Sequence, residues 1–225
     1  FLGGMGPSGS GKTTLLNVLS TIDRPTSGEI DFDGHRLSRM DDQELAVFRC
    51  SSIGFVFQEY NLLDNLSVRD NIALPLVLSG IEPRPILKKV QQLAEFFSIA
   101  DQLDKPPYQL SGGQRQRVAA ARAMIASPKV LFADEPTGAL DSRAAQDLLG
   151  AFDNLHQQYE TTIMMVTHDA FAASYCDRVF FLKDGQLYGR LDRDGKRQVF
   201  FQSILDMLGA MGGWQRPMAH LPHHG

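Results

Sequence analysis

The sequence is poor in the features that mark several broad protein classes. It holds two cysteines, Cys50 and Cys176, too few for a disulfide framework and without metal-ligand spacing, so a reducing compartment fits them. No apolar run approaches the ~18 residues that cross a bilayer. No stretch reads as a signal peptide, and there is no internal repeat or low-complexity block. Basic residues are not in excess: 22 Lys and Arg stand against 26 Asp and Glu, a net charge of −4. Bulk attraction to nucleic acid is therefore not suggested. Trp214, the single tryptophan, reads as a partly buried anchor near the C-terminus. The chain opens at Phe1, directly ahead of a motif, and we expect further residues in front of it.

What is present is the composition of a folded globular chain. Of 225 residues, 43% are hydrophobic and 21% charged, which excludes disorder over most of the length and fits one large domain or two small ones. Phe1 to Met5 reads as a short strand entering a Gly-rich turn, although Gly3 and Gly4 are poor strand residues. Glu29 to Phe32 alternates like a strand, and Asp33-Gly34 is a hairpin turn signal. A short helix over Asp41 to Phe48 precedes the strand Ile53 to Phe57.

From Asn61 to Leu110 no β-rich run occurs. Ser67 to Asp70 looks like a capping box, and helical signals continue to about Phe97, with Pro83 and Pro85 as breaks. This is a helical insertion. Strand and helix then alternate. A helix over Arg115 to Ala126 leads to the wholly apolar strand Val130 to Ala133. A helix from Arg143 to about Gln158 leads to the strand Thr162 to Val166, in which Met164 and Met165 read as core filling. After a further helix comes the strand Val179 to Leu182, then the turn Asp184-Gly185 and the segment Gln186 to Leu191. Such alternation predicts a largely parallel sheet buried on both faces. An amphipathic helix over Gln198 to Leu208 closes the pattern, and the tail beyond Gly212 looks unstructured.

Three segments carry chemistry. Gly6-Pro7-Ser8-Gly9-Ser10-Gly11-Lys12-Thr13-Thr14 contains the full G-x-x-x-x-G-K-[ST] pattern between a strand and a helix. Glycines let backbone N–H groups surround phosphate oxygens, and the following helix points its positive end at them. Lys12 would reach the β- and γ-phosphates, and the Thr13 hydroxyl would coordinate Mg²⁺. The bland alternative is a chance Gly/Ser-rich turn.

Asp134-Glu135 closes a buried strand, at the sheet edge where α/β ligands bind. Asp134 would hold the Mg²⁺ shell through water, and Glu135 would polarise the attacking water. Taken alone, the pair equally describes a surface turn. Leu110-Ser111-Gly112-Gly113-Gln114 precedes a good helix and reads either as a second anion-binding helix start or as an ordinary cap with flexible glycines. His168 follows the strand Thr162 to Val166, so it projects at the same edge as Glu135. His35, His156, His220, His223 and His224 have no comparable context, and the last three read as a solvated tail. Arg115, Arg117 and Arg122 read mostly as a solvated helix face.

In this order the pieces resemble the nucleotide-binding subunit of an ATP-binding cassette (ABC) transporter. The Walker A loop is Gly6 to Thr13, the Q-loop is at Gln58, the signature is Leu110 to Gln114, and Walker B is Val130 to Glu135. Ala139-Leu140-Asp141 matches the D-loop and His168 the H-loop. The resemblance spans about Gly6 to Leu191. It implies an α/β P-loop NTPase core over residues 1–60 and 116–195, with a largely parallel sheet and a partial antiparallel β subdomain. A helical subdomain carrying the signature spans 61–115, and a C-terminal helix and tail span 196–225. It also implies that strands bearing an adenine-stacking aromatic precede Phe1.

The resemblance further implies ATP and Mg²⁺ as cofactors. ATP is bound in a homodimer of cassettes, between the Walker A loop of one chain and Ser111, Gly112, Gly113 and Gln114 of the other. Gln58 would contact Mg²⁺ or the attacking water, His168 the γ-phosphate, and Asp141 would couple the two sites. The expected partner is a membrane permease at the cytoplasmic face of a bacterial membrane. Neither nucleic acid nor the transported substrate would be bound directly.

Phe55 to Leu63 and Leu74-Pro75-Leu76 are similar to the macrolide-efflux, lipoprotein-release and peptide-resistance group. Gln198 to Gly213 is similar to the bacitracin-type branch in particular. A non-transport ABC ATPase acting on DNA or the ribosome is the alternative from another class. Those proteins usually carry paired cassettes or long coiled-coil insertions, and this chain has one cassette and no long heptad run. A cassette that switches without useful turnover fits less well with Glu135 and His168 both intact.

Overall fold

The computed structural model describes residues 1–159 and 161–212. Trp214, His220, His223, His224 and the tail expected beyond Gly212 lie outside them. The chain order begins with β1 (Leu2–Met5), α1 (Lys12–Leu19), the paired β2 (Asp31–Phe32) and β3 (His35–Arg36), α2 (Asp42–Ser52) and β4 (Ile53–Val56). The helical insertion follows as α3 (Val68–Leu78) and α4 (Pro83–Phe96). Then come α5 (Gly112–Met124), β5 (Val130–Asp134), α6 (Ser142–Tyr159), β6 (Thr162–Thr167), α7 (Ala170–Ala173), β7 (Arg178–Lys183), β8 (Gln186–Asp192) and α8 (Arg197–Gly212).

Among the described residues, six strands form one sheet in the order β4-β5-β6-β1-β7-β8. All neighbours are parallel except β7 and β8. Apolar strands such as Leu131-Phe132-Ala133 are covered on both faces, as a crossover sheet requires. The expected α/β class and helical insertion are both present.

The glycines of β1 are a consequence of where that strand lies. It is central, between β6 and β7. A Cβ on Gly3 would stand 2.9 Å from Cys176 Sγ, and one on Gly4 would stand 3.1 Å from a Val166 methyl. Close packing here outweighs the weak strand preference of glycine.

Other expectations need adjustment. The break expected at Pro83 is the gap between α3 and α4, with Pro83 as the first residue of α4, where a missing N–H costs nothing; Pro85, expected as a second break, lies within the first turn of α4. Pro75 lies in the interior of α3. At Ser67 the cap is real but not reciprocal: Ser67 Oγ accepts from the Asp70 N–H, while the Asp70 carboxylate bonds the Ser67 hydroxyl instead of the Ser67 N–H. The full reciprocal box forms at Asp41 with Glu44. The strand expected over Glu29 to Phe32 is only the two-residue β2, paired with β3 across Asp33-Gly34, both at positive φ as a tight hairpin requires.

Candidate phosphate-binding and hydrolytic site

Four strands deliver their following loops to one edge of the sheet. The register aligns Met5 with Thr167, Asp134 with Val166, and Val56 with Ala133. Gly6, His168, Glu135 and Gln58 therefore all lie just beyond C-terminal strand ends, where ligands of parallel sheets bind.

The loop from Gly6 to Gly11 wraps the start of α1. Gly9 and Gly11 hold φ of 78° and 92°, a region costly for residues with a Cβ. At Gly6 the constraint is closeness: a Cβ would stand 2.2 Å from the Leu182 carbonyl oxygen. Ser10 Oγ is buried without a hydrogen-bond partner among the described residues. Lys12 is only 8% exposed, and its Nζ donates to the carbonyls of Gly6 (3.0 Å) and Pro7 (3.1 Å). The loop thus carries an orphaned hydroxyl, an ammonium and a helix N-terminus, a donor set suited to phosphate oxygens. Thr14 follows Thr13 in the first turn of α1 and is exposed, as is Ser8 in the loop.

Thr13 Oγ1 donates to Asp134 Oδ1 at 3.3 Å. Burial raises the Asp134 pKa; Glu135 adds to the rise, while the Thr13 bond and Lys12 oppose it. A hydroxyl and a carboxylate are hard oxygen donors that fit Mg²⁺, an ion that keeps most of its shell for water and phosphate and needs few protein ligands.

Glu135 and His168 are joined directly. His168 Nδ1 lies 2.9 Å from Glu135 Oε1, and the His168 N–H donates to Oε2 at 3.3 Å. A carboxylate only accepts, so Nδ1 carries the proton and Nε2 of a neutral ring is bare. The Glu135 side chain is 14% exposed against 68% for His168. Glu135 has a φ of 45°, a left-handed conformation that persists in a non-glycine residue only when its surroundings fix it. One anchor is the Glu135 N–H, which donates to the Val166 carbonyl at 2.9 Å. The Gln58 side chain packs near the turn after Glu135; a Cβ on Gly138 would be 3.0 Å from Gln58 Nε2.

The signature segment forms the cap of α5. Ser111 Oγ accepts from the Gln114 N–H, and Gln114 Oε1 accepts from the Ser111 N–H, so the segment is a capping box. The amides of Gly112 and Gly113 fall in the first turn, where helical N–H groups lack an intrahelical acceptor. Asp141 caps α6 by accepting from the Ala144 N–H at 2.8 Å. Within one chain it therefore has a local structural role besides any across a dimer.

The arginines after the signature are not a solvated face. Arg122 is partly buried, desolvation lowers its pKa, and it donates to the carbonyls of Tyr60 (2.9 Å) and Asn61 (2.5 Å). Arg115 lies 5.1 Å from the Tyr60 ring centroid, and Arg117 pairs with Asp147. Gln116 is fully buried and went unnoticed in the sequence. Its spacing from the buried Ala119, Ala120 and Met124 puts it on the inward stripe of α5, and a polar residue on such a stripe is the signal that would have found it.

Comparison with known proteins finds relatives over most of the chain. The family model described as ABC transporter matches residues 2–138. The chain is 52% identical over 216 residues to the bacitracin export ATP-binding protein BceA of Halalkalibacterium halodurans, covering 96% of this chain and 85% of that protein. It is 51% identical over 213 residues to the ABC transporter ATP-binding protein YvcR of Bacillus subtilis, covering 95% and 82%. It is also similar to the macrolide export ATP-binding/permease protein MacB of Rhodopirellula baltica, 46% identical over 80% of this chain but 27% of that protein. The solved dimeric structure of a bacterial ABC transporter cassette superposes with a TM-score of 0.80 at 37% identity, covering 87% of this chain and 86% of that one. A dimeric post-hydrolysis form bound to ADP and phosphate superposes equally well.

Proposed function

The chain belongs to the ABC transporter ATP-binding family and is its ATP-hydrolysing cassette, and on that premise we propose how its residues divide the work. The carrying observation is the Glu135–His168 contact beside Lys12 and Thr13 at one sheet edge. Lys12 and the loop amides bind the β- and γ-phosphates. Thr13 and Asp134, with Gln58 nearby, would hold Mg²⁺, which neutralises phosphate charge when bound. Glu135 orients a water and takes its proton as the water oxygen bonds the γ-phosphorus. The bond to the bridging oxygen breaks, giving ADP and phosphate. His168 holds the Glu135 carboxylate through Nδ1 and the backbone N–H. For Nε2 to donate to the γ-phosphate, the ring must be cationic, or be the Nε2–H tautomer whose Nδ1 accepts from a protonated Glu135.

The site is completed by a second copy. Ser111 with the amides of Gly112 and Gly113 supplies the γ-phosphate contacts of the opposing chain, and the dimeric cassettes that this fold matches support that arrangement. Mixing Lys12→Ala chains with Ser111→Arg chains should leave at most one intact composite site per heterodimer. Steady-state ATPase of the mixture should then exceed that of either variant alone. Full-rate hydrolysis by a strictly monomeric preparation, followed by light scattering, is the contrary result.

The transporter is of the antimicrobial-peptide export type, supported by 52% identity to a bacitracin export cassette over nearly the whole chain. The macrolide type is the second reading, on 46% identity over four-fifths of the chain. A permease seats at the exposed apolar residues of the helical subdomain, Leu63, Val77, Leu78, Ile81 and Leu87. This makes the cassette peripheral to the membrane at its cytoplasmic face; no described helix is long and apolar enough to cross one. In vesicles holding the cassette with its permease, bacitracin-type peptides should raise the ATPase rate several-fold and macrolides should not. The reverse pattern selects the second reading.

A further inference from the structure

Gln116, Arg122 and Arg115, which lies over the Tyr60 ring, are three side chains of α5 that hold the segment around Gln58, and Gln116 also holds the segment around Glu135. Gln116 has no exposed surface. Its Nε2 donates to the Pro136 carbonyl at 2.8 Å and to the Phe57 carbonyl at 3.2 Å. Pro136 directly follows Glu135, and Phe57 directly precedes Gln58. Its Oε1 is buried without a partner among the described residues, so the side chain acts as a donor only. Arg122 fixes the carbonyls of Tyr60 and Asn61 on the far side of Gln58.

The gripped residues need a grip. Tyr60, Asn61 and Glu135 sit at φ of 62°, 48° and 45°, and such conformations persist in non-glycine residues only where the surroundings fix them. The Glu135 side is held upstream by its N–H bond to Val166. Downstream, a turn bond from the Gly138 N–H to the Glu135 carbonyl is joined by the Gln116 bond to Pro136.

We infer that Gln116 is a positioning residue: its single amide nitrogen ties the backbone beside Glu135 to the backbone beside Gln58, and ties both to the helix that begins with Ser111. The inference rests on Glu135 acting as the base. It adds that the base is held by the signature helix of its own chain, whose tip serves the opposite nucleotide. A change at one ATP site thereby reaches the carboxylate of the other through one buried side chain.

The test uses the full dimeric protein and two variants. Gln116→Met keeps the length and loses both donations. The expected result is a kcat lower by roughly 10-fold to 10²-fold, the scale of a small misplacement of reacting groups, with KM and the directly measured MgATP Kd within about two-fold. Gln116→Lys restores a donor. Lys12 shows in this same chain that one ammonium can serve two backbone carbonyls, so most of the lost kcat should return. In a Glu135→Gln background, Gln116→Met should slow single-turnover hydrolysis by less than two-fold, because the group it positions is gone.

An undiminished kcat in Gln116→Met overturns the inference. So does an equal fold-loss with and without Glu135, or a folded Gln116→Lys protein no faster than Gln116→Met. If Gln116→Met fails to fold, thermal melting and kcat of Gln116→Lys decide alone: near-wild-type values support the donor role, and a folded but slow protein overturns it. Retained turnover in Glu135→Gln by itself counts against the base assignment, and is read on a variant in which Gln116 is intact.

Discussion

Glu135→Gln is expected to lower steady-state ATP hydrolysis by roughly 10²-fold or more, the scale of a lost general base, while MgATP still binds. The substitution keeps shape and reach. The new amide oxygen still accepts from His168, whose Nδ1 lies 2.9 Å from the present carboxylate. Lys12, Thr13, Asp134 and the loop amides are untouched. What disappears is the group that takes a proton from water. With hydrolysis stalled, ATP stays between the Walker A loop of one copy and the signature of the other. Light scattering should then show an ATP-dependent dimer that outlasts the wild-type one. Near-wild-type turnover would move the base to His168.

Lys12→Ala is the second large effect. Among the described residues Lys12 is the one side-chain cation bonded within the loop, and it is almost wholly buried. At rest its ammonium bonds the Gly6 and Pro7 carbonyls; phosphate binding exchanges these for charge-assisted bonds worth about 1.5–3 kcal/mol each. Because the resting bonds are given up in exchange, the net loss is about that of one such bond, and MgATP binding weakens by roughly 10-fold to 10²-fold, since each 1.4 kcal/mol is tenfold. Titration calorimetry with MgATP measures this directly. An affinity equal to wild type would remove Lys12 from the phosphate site.

Much of the site is legible in the sequence because its chemistry is local. The phosphate loop, Asp134-Glu135 and His168 each sit at a strand end marked by a run of apolar residues, and the parallel order then brings those ends together. The capping box at Ser111 is equally local. Position in the tertiary packing is not. Gly3 and Gly4 look weak until β1 is seen wedged between β6 and β7. Pro85 looks like a break until it is seen within the first turn of α4. Arg122 looks solvated until its partners, the carbonyls of Tyr60 and Asn61, come from 61 and 62 residues earlier in the chain. Gln116 likewise bonds carbonyls 59 and 20 residues away. Backbone carbonyls leave no trace in a sequence pattern, so residues that recognise them are the ones a sequence hides.

The narrow fit of β1 also divides the two thiols. Cys176 lies against Gly3 in the middle of the sheet, fully buried, and burial pushes its thiol far above the usual range. Cys50 is exposed on α2. Reactivity follows the thiolate and its access to reagent, so the folded cassette presents one alkylatable sulfur and its central strand conceals the other. A thiol reagent thus counts molecules in which the strand feeding the phosphate loop has opened, with no label added and no residue of the nucleotide site altered.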